Sequence, residues 1–121
     1  LLDALLRPTR IYVKEITTLL SEIRVKSIAH ITGGGFYENI PRALPKGLSA
    51  EIDGAAVKTP EIFALIAKKG GVSRRDMFNT FNMGVGMVVA VSPDDAEKAA
   101  ALTGGTVIGR VVASDEGVRF K

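Results

Sequence analysis

The triple glycine Gly33-Gly34-Gly35 is the feature that most constrains the fold of this chain. An apolar run over residues 29–31 reaches Thr32 and the glycines, and helix-compatible residues follow as far as Pro41. Glycine permits positive φ and lets backbone N–H groups approach an anion closely. A helix N-terminus beyond the turn adds unpaired N–H groups and a partial positive charge. The segment predicts a strand, a turn and a helix suited to a phosphate or a developing oxyanion, although a purely architectural turn has the same pattern.

Polar side chains on both sides of the glycines are candidates for chemistry. On a strand, His30 and Thr32 point to the same side, so both are expected to face one cleft. His30 is interpreted either as a proton carrier or anion donor, or as a strand histidine bonded to a backbone carbonyl. Glu38 suits the positive end of the helix dipole, and could equally hold Mg²⁺ beside a phosphate or position a substrate amine. Asn39 is interpreted as a helix cap or as a residue bordering the cleft.

The segment Thr80–Met87 is the second unusual stretch of sequence. Asn82 and Gly84 stand between a predicted helix and a predicted buried strand, where the backbone often needs left-handed geometry. One interpretation is a helix stop. The other is that Asn82 forms a hydrogen bond to a substrate amide while the glycines admit a ligand.

Composition excludes several classes of function. The length of 121 residues fits one domain. The absence of Cys and the single His exclude metal sites built from cysteines or several histidines. A net charge of +3, few aromatic residues and no Trp argue against nucleic-acid binding. No apolar stretch is long enough for a membrane span, and the lack of cysteine suits the cytosol.

Periodicity and turn signals predict an α/β fold with alternating elements. The order from residue 27 onward is β-α-β-β-α-β, a ferredoxin-like core with extra helices inserted in the middle. The predicted helices cover about residues 12–23, 38–44, 60–69, 73–80 and 92–102, and the predicted strands cover residues 27–31, 49–52, 84–91, 106–113 and 118–121.

The N-terminus is rich in leucine: residues 1–6 contain four. Exposed apolar surface of this kind usually has a partner. The segment therefore indicates that the chain is cut from a longer protein, and the alternative is a helical turn docked on this domain.

Four spaced motifs resemble one known family. They are Pro8-Thr9-Arg10-Ile11-Tyr12-Val13-Lys14, Ala29-His30-Ile31-Thr32-Gly33-Gly34-Gly35, Glu38-Asn39-Ile40-Pro41-Arg42-Ala43-Leu44-Pro45 and Thr80-Phe81-Asn82-Met83-Gly84-Val85-Gly86-Met87. Over nearly the whole chain, they resemble the C-terminal domain of the phosphoribosylformylglycinamidine cyclo-ligase (AIR synthetase) family.

The resemblance implies an ATP-dependent ring closure in purine biosynthesis, in which formylglycinamidine ribonucleotide and ATP give aminoimidazole ribonucleotide (AIR), ADP and phosphate. It implies a cytoplasmic enzyme in which an N-terminal domain supplies most ligands for ATP and Mg²⁺ and the main homodimer contact. Residues 1–121 are then a single C-terminal domain, with residues 1–8 as the remnant of an interdomain junction. Because the N-terminal ATP-binding domain is absent, the chain alone is expected to be inactive.

The resemblance also implies roles for individual residues. The glycine turn cradles an anionic group, either the ribonucleotide phosphate or the transferred phosphoryl group. The residues assigned to substrate or phosphate binding are Thr32, Gly33, Gly34, Gly35, Glu38 and Asn39. The catalytic candidates lining the cleft are His30 and Asn82, and no metal ligand is assigned to this chain.

Two other functions compete with this interpretation. One is a related ATP-dependent enzyme domain of the formylglycinamidine synthetase or selenophosphate synthetase type, against which the segments at residues 39–42 and 81–84 argue. The other is a non-catalytic binding or assembly domain in which the glycine turn is architectural.

Overall fold

The computed structural model describes residues 1–121 as an α/β protein with six α-helices and five strands. The helices are α1 (Leu2–Leu6), α2 (Val13–Glu22), α3 (Gly35–Arg42), α4 (Glu61–Gly70), α5 (Arg74–Thr80) and α6 (Ala96–Thr103). The strands are β1 (Val25–His30), β2 (Leu48–Ile52), β3 (Met87–Val91), β4 (Gly109–Ala113) and β5 (Val118–Phe120). Two short 3-10 turns, Gly54–Ala56 and Pro93–Asp95, complete the regular structure. The predicted α/β class is confirmed.

The strands are divided between two sheets. β1 pairs with β3 in a two-stranded antiparallel ribbon, and β2 lies between β4 and β5 in a three-stranded sheet. β2 is antiparallel to β4 and parallel to β5. The predicted element order is present, but the strands do not form one continuous ferredoxin-like sheet, because β4 and β5 occupy both edges of β2.

The β1–β3 ribbon lies between two apolar clusters. On one side, Ala29 and Ile31 join the main core, which includes Phe36 of α3 and Phe78 of α5. On the other side, α2 and α6 form a smaller cluster around Leu19, against which Val25, Val89 and Val91 pack. Apolar residues on both faces explain why β3 was predicted as a buried strand, and its five residues are half-buried in the structure. The main core fixes α3 and α5 next to the end of β1.

Several predicted boundaries shift in the structure, among them the starts of β3, α3 and β4. β3 begins at Met87 rather than at residue 84, because Met83 (φ 54°) and Gly84 (φ 90°) adopt left-handed geometry that a strand cannot accommodate. α3 begins at Gly35 rather than at residue 38, and β4 begins at Gly109 rather than at residue 106. At Gly109, the first residue of β4, a Cβ would overlap the carbonyl of Glu51, so the two strands approach closely there.

The leucine-rich N-terminus forms α1, a helix of five residues, none of which is buried. Its leucines and Leu1 keep between 59% and 75% of their surface exposed. The segment is thus helical, but it is not docked in the core of this domain. No helix of the chain is both long enough and apolar enough to cross a membrane.

A charged cluster joins the three strands of the larger sheet. Glu51 of β2 lies opposite Arg110 of β4 and Arg119 of β5. Arg119 donates to Glu51 Oε2 at 2.6 and 2.9 Å, and Arg110 Nε donates to Oε1 at 2.9 Å. Hydrogen bonds from Arg119 and then Arg110 lower the pKa of the Glu51 carboxyl, and those from Glu51 and then Glu116 raise the pKa of Arg119.

We expect Glu51→Gln to reduce stability at neutral pH but not in acid. A carboxyl group with a lowered pKa stabilises the fold above its ordinary pKa of 4.5, and the contribution is lost as the pH falls through the lower folded value. Urea unfolding at pH 7 should therefore separate the variant from the parent, and the difference should shrink toward pH 3. Glu97→Gln, at an exposed carboxylate outside this cluster, is the matched control. A difference in unfolding free energy between Glu51→Gln and the parent that does not change with pH would contradict the prediction.

Candidate functional site

The glycine turn joins β1 to α3 through two consecutive left-handed residues. Gly34 has φ 92° and Gly35 has φ 57°, conformations that favour glycine. The Gly35 N–H donates to the Thr32 carbonyl at 3.0 Å, and the Glu38 N–H donates to the Gly34 carbonyl at 3.2 Å. The sequence prediction of a strand, a glycine turn and a helix is confirmed at this point of the chain.

One buried amide holds the turn together. The side chain of Asn39 donates from Nδ2 to the carbonyls of Gly35 at 2.8 Å, Gly33 at 3.2 Å and Thr32 at 3.3 Å. The Thr32 hydroxyl donates to Asn39 Oδ1 at 3.3 Å. Asn39 is only 8% exposed and lies in the second turn of α3. The Asn39 amide therefore orients the glycine turn by donating to the carbonyls of the turn. A helix N-cap would instead accept a hydrogen bond from a backbone N–H group of the helix.

Several backbone donors of the turn have no acceptor within the protein. They are the N–H groups of Gly33, Gly34, Phe36 and Tyr37. Phe36 and Tyr37 belong to the first turn of α3, an eight-residue helix, so the positive end of the helix dipole lies at the same place. Successive N–H groups in a turn of this kind form an anion-binding concavity.

The three glycines face different surroundings. A Cβ at Gly35 would overlap the carbonyl of Phe78 and lie 2.8 Å from the carbonyl of Phe81, because α3 packs closely against α5. A Cβ at Gly34 would overlap the Glu38 carboxylate. A Cβ at Gly33 would meet nothing within 4 Å. Gly34 and Gly35 are thus required by geometry, and Gly33 is the position open to solvent.

Glu38 lies at the rim of the turn. Its carboxylate folds over Gly34, its side chain is 53% exposed, and Arg42 Nη2 lies 3.8 Å from Oε2. No three His, Asp or Glu side chains of this chain are grouped so that they could hold a metal ion. Glu38 is therefore a single carboxylate beside the unpaired donors of the turn.

A shallow cleft of about 320 Å³ adjoins the turn. Its walls come from the end of β1, from α4 and from the C-terminal end of α5. The lining residues are Ile31, Thr32, Gly33, Phe63, Thr80, Phe81 and Asn82. The cleft thus brings together Thr32, Gly33 and Asn82, which lie in separate sequence motifs.

Asn82 is oriented by the loop that follows α5. Its Oδ1 accepts from the Gly84 N–H at 2.9 Å, and its carbonyl accepts from the Val85 N–H at 2.9 Å. Because Gly84 requires an acceptor, this contact assigns the amide orientation and leaves the NH₂ group of Asn82 without a protein partner. Left-handed geometry was predicted around Asn82 and Gly84, and it is found at Met83 and Gly84.

His30 lies at the exposed end of β1, opposite Met87 of β3. Ala29 and Ile31 are buried while His30 and Thr32 are exposed, as the alternation predicted, but Thr32 lines the cleft and His30 does not, so the two residues do not face one cleft. The His30 imidazole makes no hydrogen bond to the protein, and it does not line the cleft that contains Asn82. The structure therefore separates His30 from Asn82.

Sequence reasoning missed the two aromatic residues of the cleft, Phe63 and Phe81. Phe63 belongs to α4, whose local pattern gives no sign that it reaches the glycine turn. Phe81 lies in the segment Thr80–Met87, and no local signal assigned it a role. Their proximity depends on how α4 and α5 pack, which is not a local property of the sequence.

Comparison with known proteins identifies the family. The family described as AIR synthase related protein, C-terminal domain, matches residues 1–121. The chain is 50% identical over 121 residues to the phosphoribosylformylglycinamidine cyclo-ligase of Thermoanaerobacter sp. (strain X514), covering 96% of this chain and 36% of that protein. It is 55% identical over 100 residues to the cyclo-ligase of Alkaliphilus oremlandii (strain OhILAs), covering 83% of this chain and 29% of that protein.

A solved structure has the same fold. Escherichia coli HypE superposes with a TM-score of 0.71 and 26% identity, covering 92% of this chain and 35% of that chain. The chain belongs to the AIR synthase related family and corresponds to its C-terminal domain. It spans about a third of the length of the curated relatives that it matches.

We expect Gly35→Ala and Gly33→Ala to differ sharply in stability. Alanine at position 35 combines left-handed strain with overlap on the Phe78 carbonyl, which should cost at least about 2 kcal/mol. Alanine at position 33 meets open space and should stay within about 0.5 kcal/mol of the parent. Urea unfolding of both variants measures the difference, and equal stabilities would show that the glycine turn is not packed as described.

Proposed function

We propose that this chain is the C-terminal domain of a phosphoribosylformylglycinamidine cyclo-ligase. The complete enzyme closes the imidazole ring of AIR from formylglycinamidine ribonucleotide and converts ATP to ADP and phosphate. The observation that supports this most directly is the match at about half identity, over nearly the whole chain, to relatives that bear that name. The likeness to HypE is more distant, at 26% identity, which favours the cyclo-ligase over another enzyme of the superfamily.

In this proposal the glycine turn binds an anionic oxygen group of the reactants. The carbonyls of Thr32, Gly33 and Gly35 are engaged by Asn39, so they do not repel an anion placed at the N–H groups. The neighbouring N–H groups at Gly33 and Gly34 have no other acceptor. Fixed N–H dipoles of this kind stabilise charge without reorganising.

The reaction proposed for the complete enzyme has two steps. The substrate's amide oxygen takes the γ-phosphoryl group of ATP and ADP leaves; an amidine nitrogen then attacks the activated carbon and phosphate departs. Negative charge on the phosphoryl oxygens is present in both steps, and the turn can bind either this group or the ribonucleotide phosphate. Asn82 would orient the substrate through its free NH₂ group, and His30 would exchange protons from the exposed strand end.

The remaining ligands are assigned to the rest of the polypeptide. The isolated Glu38 carboxylate is not a set of donors that fits Mg²⁺, so we assign the ligands of Mg²⁺ and most of those of ATP to an N-terminal domain. The exposed leucines of α1 would contact that domain, and the complete enzyme would be a cytoplasmic homodimer. This domain alone should then be inactive.

Formation of AIR tests the proposed function directly. The complete polypeptide containing this domain should convert formylglycinamidine ribonucleotide and ATP into AIR and ADP in equal amounts. If the complete, folded enzyme releases no AIR under these conditions, the proposed function is wrong.

Gly33→Asp in the complete enzyme should lower kcat/KM at least about tenfold, because it adds a second carboxylate, besides that of Glu38, next to the unpaired N–H groups. Gly33→Asn has nearly the same shape without the charge and should retain activity within about threefold. Both side chains fit the open space at this position, so folding should be unaffected. Equal kcat/KM values for the two variants would contradict an anion at the turn.

A further inference from the structure

Tyr12 anchors the segment between α1 and α2 to the β1–β3 ribbon. Residues 1–11 are all exposed, and Tyr12 is the first residue of the chain that is half-buried. The hydroxyl end of its ring occupies the space over Gly86: a Cβ at Gly86 would overlap the Tyr12 hydroxyl and lie 2.7 Å from the ring atoms Cε2 and Cζ. The absence of a side chain at Gly86 is therefore what admits the Tyr12 ring.

The Tyr12 ring is also held from its face. The guanidinium group of Arg10 lies over the ring, with its Cζ 5.2 Å from the ring centroid. Arg10 Nη2 donates to Glu15 Oε1 at 3.1 Å, and Glu15 belongs to the first turn of α2. The Tyr12 hydroxyl makes no hydrogen bond to the protein, so the ring acts through packing.

Gly86 connects the Tyr12 ring to two parts of the candidate site. Its carbonyl accepts from the Ile31 N–H at 2.8 Å, where β1 leads into the glycine turn. Gly86 also follows the loop that carries Asn82, whose carbonyl accepts from the Val85 N–H at 2.9 Å. A ring packed on Gly86 therefore restrains the end of β1 and the loop of Asn82 at one point.

We propose that Tyr12 is a positioning residue for the anion-binding glycine turn. Its ring holds Gly86 in place, and the Gly86 carbonyl holds Ile31, from which the turn starts. Energetic coupling of this kind is carried by contiguous packed and hydrogen-bonded groups. Tyr12 does not line the cleft, so it acts through the backbone. The inference rests on the proposed function, since it assigns Tyr12 to the turn that binds the anionic group of the reactants.

The affinity of the folded chain for inorganic phosphate tests this role. Backbone amide NMR of the 121-residue chain gives the phosphate dissociation constant at Gly33 and Gly34. Tyr12→Ala removes the ring and should raise that constant at least about threefold. Tyr12→Phe keeps the ring and loses only an unpaired hydroxyl, so it should retain the parental constant. Ile11→Ala, at the 79% exposed neighbouring residue, is the matched control and should also retain it.

Gly86→Ala tests the same contact from the other side. Gly86 does not have a positive φ, so alanine adds a Cβ that displaces the ring without left-handed strain. This variant should weaken phosphate binding as Tyr12→Ala does. Because both changes break one contact, the double variant should bind phosphate no more weakly than the weaker of the two single variants.

Unchanged phosphate affinity in both single variants, with only a lower stability in urea, would show a merely structural contact and overturn the inference. So would equal losses in Tyr12→Phe and Tyr12→Ala, effects that multiply in the double variant, or a parent chain that binds no phosphate at the turn. The amides of the β2–β4–β5 sheet show whether each variant is folded, and either single variant suffices if the other does not fold. AIR formation by the complete enzyme is measured separately, so its failure would reject the proposed function without changing the phosphate result.

Discussion

The amide of Asn39 is the interaction on which the site depends. A single buried side chain engages the carbonyls of Thr32, Gly33 and Gly35, and thereby fixes the turn without using any of its N–H groups. Leaving a buried amide or carbonyl unpaired costs about 1–3 kcal/mol, so this arrangement is strongly specified. Its consequence is a group of oriented donors at the start of α3 that no atom of the protein satisfies.

The second constraint is the close approach of α3 to α5. Gly35 has no room for a Cβ because the carbonyls of Phe78 and Phe81 lie against it. The same approach brings the end of α5, with Asn82, beside Thr32 and Gly33, and so creates the cleft. The edge-to-face contact of Phe36 with Phe78, whose ring centroids are 5.0 Å apart, supports the helix pair from the core. Core packing and site geometry are therefore set by the same few residues.

Local signals predicted most of the elements and the glycine turn, because spacing and turn chemistry act within a few residues. They failed where distant segments decide the outcome. The division of the strands into two sheets follows from β4 and β5 both pairing with β2, which no periodicity encodes. The role of Asn39 was missed because the carbonyls that it binds come close to its side chain only in the folded turn. Phe63 was missed because it reaches the cleft only through the packing of α4. The substrate roles of His30, Asn82 and Glu38 remain predictions.

The most direct test of this account follows the backbone amides of the 121-residue chain by NMR during titration with inorganic phosphate. We predict saturable shifts centred on the N–H groups of Gly33, Gly34 and Tyr37, whereas the amides of the β2–β4–β5 sheet stay unchanged. Shifts spread evenly over basic surface residues, with none at the glycine turn, would contradict the claim that Asn39 and α3 present an anion site.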